Sequence, residues 1–107
     1  MSWKIQLTSE AMRNSVSMID WIGARSVAGA RSWNNARKAA LDLIERQPFA
    51  FAIAPENKYA SVELRNCLFS TPKGRIYRIV YYVDGTNIII THIRGPGQQS
   101  IPKNHLP

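Results

Sequence analysis

Apolar and polar residues alternate at the start of the chain. Trp3, Ile5 and Leu7 are interleaved with Lys4, Gln6 and Thr8, the period of two that marks a strand with one buried face. From Ser9 the spacing lengthens to 3.6. Ala11, Met12, Ser15, Met18, Ile19 and Ile22 fall on one side of a helix, with Arg13, Ser17 and Asp20 opposite. Thr8 or Ser9 can cap this helix, Glu10 suits the positive end of its dipole, and Gly23 is a natural stop. A second helix is predicted from a Ser26 cap to about Gln47, with Trp33, Ala36, Ala40, Leu43 and Ile44 as its apolar stripe. Pro48 ends it, because the residue before a proline is pushed out of helical geometry. So short a link, Gly23-Ala24-Arg25-Ser26, makes the two helices an antiparallel hairpin.

The rest of the chain reads as strand. After a connection through Pro55 and Asn57, Val62 and Leu64 alternate with Glu63, Arg65 and Cys67. The runs RIYRIVYYV and NIIITHI are rich in β-branched and aromatic residues, and Asp84-Gly85 between them predicts a tight hairpin of type I′. The predicted order is β-α-α-β-β-β, an α+β domain whose helical hairpin covers one face of a small, mainly antiparallel twisted sheet. The first strand must join that sheet to bury Ile5 and Leu7. Val62, Leu64, Tyr77, Ile79, Tyr81, Ile89 and Ile93 are the expected helix-facing set. Residues 1–107 form one domain in this reading, and 95–107 form an extended tail.

Composition narrows the class. A chain of 107 residues that is 45% hydrophobic can build one core. No apolar run approaches the roughly 18 residues a membrane span needs, and MSWKIQLTSE lacks the apolar centre of a signal peptide, so a cytoplasmic location without membrane contact is expected. A lone cysteine, Cys67, and two distant histidines offer no metal-ligand spacing, and no cofactor motif is present. The net charge of +7 points to an anionic partner. Its distribution adds to this: residues 58–107 carry seven Lys/Arg against two Asp/Glu, whereas 1–57 carry seven against five.

Those cations fall on the strands. If helices cover one sheet face, period-two geometry allows Glu63, Arg65, Arg78, His92 and Arg94 to converge on the bare one. Cross-strand pairs such as Glu63 with Arg78 also occur on ordinary exposed sheets. Here three arginines and a histidine gather near one acid, and the planar fork of arginine suits phosphate. Lys73 and Arg75 add charge in the turn that leads into the third strand, and His105 reads as a surface residue of the tail.

The succession TSEAMRNSVSMIDWI, AGARSWNNARKAALDLIERQP, APENKYASVELR and RIYRIVYYVDGTNIIITHIRGPGQ resembles the RelE/ParE superfamily of type II toxin–antitoxin toxins, over Trp3 to Gln99. The resemblance implies a growth-arresting toxin of the plasmid-stabilisation type, held in a hetero-oligomer by an antitoxin whose acidic segment would suit the basic surface. It leaves two targets open, mRNA cleaved on the ribosome or DNA gyrase poisoned without chemistry by the toxin itself. For an endoribonuclease acting without metal, His92 or Glu63 would move protons and Arg65 and Arg78 would complete the catalytic set. Arg65, Arg78, Arg94, Lys73 and Arg75 would hold phosphates. A nontoxic RNA-binding module is the remaining alternative.

Overall fold

The computed structural model describes residues 2–72, 74–98 and 100–107. Strand β1, Lys4–Leu7, leads into helices α1, Ser9–Gly23, and α2, Val27–Arg46; strands β2, Arg65–Ser70, β3, Ile76–Asp84, and β4, Asn87–Arg94, follow. The sheet order is β1-β4-β3-β2, with β1 parallel to β4 and the other pairs antiparallel. Two helices packed on a four-stranded mixed sheet match the α+β class expected from the pattern.

Local chemistry sets the boundaries. Thr8 Oγ1 accepts from Ala11 N–H at 3.1 Å, and Ser26 Oγ accepts from Gly29 N–H at 2.9 Å, so each helix starts on a hydroxyl cap. Gly85 has φ of 62°, and Thr86 after it is not in the positive-φ region. The hairpin turn therefore follows the type II′ pattern, with glycine at the first central position, and differs from the expected type I′.

Helices and sheet share a core of Ala11, Trp33, Ala40, Ile44, Cys67, Phe69, Ile79, Tyr81, Ile88, Ile90 and Ile93. Trp33, Phe69 and Tyr77 meet ring to ring at 5.5–5.8 Å between centroids. Met12 and Leu43, expected inside, are exposed at the outer rims of the helical stripes.

Two expected strand phases are corrected. β2 starts at Arg65, and Cys67 and Phe69 face the helices, so Val62 and Leu64 belong to the opposite side, packed with Ala54, Val80 and Ile101. In β4 a bulge intervenes: Val80 pairs with His92 and Tyr81 with Ile90, leaving Thr91 as the extra residue. Ile88, Ile90 and Ile93 are consequently the helix-facing set, and His92 and Arg94 face away, as expected for those two.

The face away from the helices is not bare. Residues 52–54 run beside the start of β2, with Ala54 N–H to Leu64 O at 2.9 Å and Asn66 N–H to Ala52 O at 3.0 Å. The tail, expected to be extended, folds back: Ile101 is buried, Leu106 packs on the same second core, and Ser61 N–H reaches Pro107 O at 3.0 Å. Among the described residues, no helix is long and apolar enough to cross a membrane.

Deleting Thr91 would join Ile90 to His92 and restore strict alternation, with Ile93 still in the helix-facing core and His92 still facing away. The expected result is a cooperative unfolding transition retained in circular dichroism. Loss of that transition, as expected if the deletion turned Ile93 outward and His92 inward, would refute the bulge.

Candidate functional site

The cations singled out by the pattern divide into three places. Arg78, Arg94 and His92 share the face away from the helices, since Arg78 pairs directly with Arg94 and Val80 with His92. Like charges side by side need a counter-charge, and the chain supplies it internally. Glu56, on the 3-10 turn Pro55–Tyr59, accepts from Arg78 Nη1 at 3.0 Å, meets Nη2 with its other oxygen, and takes Ile101 N–H at 3.0 Å. Asn66 Oδ1 adds a contact to Arg78 at 3.4 Å. Only 2% of Glu56 is exposed. Burial alone would raise its carboxyl pKa, but the hydrogen bonds from Arg78 and Ile101 outweigh that and hold it below the ordinary range.

Arg65 lies elsewhere. It sits opposite Tyr81, on the helix side of the sheet, where its Nη1 donates to Phe51 O at 2.8 Å and Phe49 O at 3.3 Å. Its Nη2 pairs with Glu63 at 2.7 Å, and the guanidinium lies 5.5 Å from the Phe49 ring centroid. Arg65 and Glu63 thus staple the loop after α2 and do not join Arg78, contrary to the expected convergence; alternation through β2 puts Arg65 and Asn66 on opposite sides. Arg75 borders a groove of about 860 Å³ beside α1, with Met18, Trp21, Ile22, Tyr77 and Pro96. Lys73 lies outside the described residues.

His92 forms the floor of a cleft of about 380 Å³ between the first turn of α1, the end of β4 and the tail. It is 4% exposed, and its Nδ1 has no hydrogen-bond partner among the described residues. Burial lowers its pKa most strongly; Glu10 and Glu56 pull it up, while Arg94 and His105 push it down. The imidazole is held neutral at pH 7, the state of a proton acceptor. Farther along the same face the cover ends, and Leu68 and Ile76 stand 60% and 63% exposed beside Arg78.

Sequence reasoning missed Glu56, Glu10 and His105 as neighbours of this face. Glu56 is separated from Arg78 by 22 residues and from Ile101 by 45, and no local period reports such pairings. Among the described residues, no three His, Cys, Asp or Glu side chains are grouped to hold a metal ion. No protein-family model matches the chain, and no curated protein matches it in sequence.

Removing Arg78 would strand a buried carboxylate, so Arg78→Ala should cost about 3–5 kcal/mol in denaturant unfolding. Arg78→Ala combined with Glu56→Gln should recover part of that loss. Because the folded pKa of Glu56 lies below its ordinary 4.5, its stabilisation is complete above that pH and drains away as pH falls through the folded value. Glu56→Gln should flatten the acid limb of the stability profile, and an unchanged limb would contradict the pairing.

Proposed function

We propose that this chain is the toxin component of a RelE/ParE-type toxin–antitoxin module and that it arrests growth by cutting mRNA on the ribosome. The observation that carries the nuclease reading is His92, a buried, neutral imidazole that lines an open cleft and whose Nδ1 has no hydrogen-bond partner among the described residues, two residues from Arg94 on the same strand face. Cleavage through the ribose 2′-hydroxyl requires a base at that oxygen and positive charge beside the phosphorus. His92 supplies the first. Arg94 stands next along β4 to supply the second, while Arg78, neutralised by Glu56, shapes the face without adding net charge. The β-α-α-β-β-β order and the net charge of +7 support the toxin class and an acidic antitoxin segment as partner.

One observation favours a second reading. With Arg78 satisfied internally and Leu68 and Ile76 exposed beside it, the uncovered end of the face is built for binding a protein, as a gyrase poison would require. Arg65 and Glu63, bound to each other and to the loop, have no chemical role in either reading.

Induced expression should arrest bacterial growth. In a translating extract the wild type should cut mRNA at codon-positioned sites, and His92→Ala should slow cutting by about 10²–10⁴-fold. Intact mRNA together with stabilised gyrase–DNA cleavage complexes would transfer the assignment to the second reading, and harmless expression would remove both.

A further inference from the structure

The cleft above His92 is bordered on its far side by the tail, which brings in a second imidazole, His105, with Asn104 beside it. Thr8, Glu10, Tyr82 and Thr91 complete the polar lining. The tail is not loosely placed. Ile101 is buried and bonded to Glu56, Lys103 Nζ lies 4.0 Å from the Tyr59 ring centroid, and Pro107 O receives Ser61 N–H. Between these anchors His105 closes a 3-10 turn, its N–H donating to Pro102 O at 2.9 Å. An exposed imidazole and a buried one thus line the same cleft, near enough that a charge on His105 would disfavour protonation of His92.

Cutting an RNA phosphodiester needs two proton transfers at opposite ends of the reacting phosphorus. A base removes the 2′-hydroxyl proton as the 2′-oxygen bonds to phosphorus, and an acid protonates the 5′-oxygen as its bond to phosphorus breaks. The products are a 2′,3′-cyclic phosphate and a free 5′-hydroxyl, with no change of oxidation state and no co-reactant. We infer that His105 is the second catalytic residue and that the His92–His105 cleft takes one RNA phosphodiester with its 2′-hydroxyl. This rests on the nuclease reading above. His92, neutral through burial, takes the proton, and His105, open to solvent, gives one. The charged groups around them are Glu10 from α1, Arg94 from β4 and Glu56 from the 3-10 turn. Glu10 makes the cleft unsuited to a phosphate dianion; its carboxylate favours a hydroxyl-bearing, singly charged diester and the imidazolium that forms on His92.

The test uses ribosomes programmed with a short mRNA, and a second mRNA carrying sulfur in place of the bridging 5′-oxygen at the cut. His105→Ala should slow cutting of the ordinary mRNA by about 10²–10⁴-fold. Sulfur leaves without protonation, so the sulfur-bearing mRNA should restore near wild-type cutting to His105→Ala and not to His92→Ala. A His105→Ala rate equal to wild type, or a slow rate that sulfur does not restore, overturns the inference while leaving the nuclease reading standing. Should the wild type cut no mRNA, that reading falls and the cleft is judged by imidazole NMR. A dinucleotide with a 2′-deoxy attacking ribose should then shift the signals of both His92 and His105, and a shift of one or neither overturns the site.

Discussion

The carboxylate of Glu56 ties together three parts of the chain that share no secondary structure. It is clasped by Arg78 from β3, rides on the turn after α2, and receives the backbone N–H of Ile101 from the tail. A carboxylate so deeply buried is tolerable only when its oxygens are met by donors, and here β3 and the tail both supply them. This interaction lets the chain cover a sheet face with loop and tail, since Ala54, Leu64, Val80 and Ile101 close around it as a second small core. It also offsets part of the repulsion between Arg78 and Arg94 that a bare face would have to bear.

The cover changes what the polar face can do. A flat row of arginines would be a nonspecific phosphate surface. With Arg78 neutralised, the remaining chemistry concentrates toward the C-terminal end of β4, where His92 meets the first turn of α1. The same irregularity builds both sides of that end. Thr8 Oγ1 donates to Thr91 O at the bulge while capping α1, so the residue that follows β1 also sets where Glu10 lies relative to His92. Asn14 Oδ1 then accepts Ile93 N–H at 3.0 Å, so that α1 satisfies β4 beyond the reach of β1.

Patterns confined to one element could be read before any coordinates. The helical stripes, the Asp84-Gly85 turn and the outward placement of Arg78, His92 and Arg94 depend on neighbours within a few residues and on one buried face. The phase of Ile88 and Ile90 was misread because a bulge leaves no mark in composition, and Thr91 looks like any β-branched strand residue. Arg65 was misplaced by counting from Val62 and Leu64 as helix-facing, when a second core on the other side was burying them. Glu56 and His105 were out of reach because their surroundings come from segments that sequence distance hides.

The parallel pairing of β1 with β4 joins residues as far as 83 apart. Contacts of that separation demand the greatest loss of chain freedom and form late, whereas β2, β3 and β4 can zip as adjacent hairpins. During synthesis β1 and both helices emerge first, without the strand on which their apolar faces must rest. Translation of β4 is therefore the event that completes the sheet, and a ribosome stalled before it would release a nascent chain that is exposed to proteases and inert.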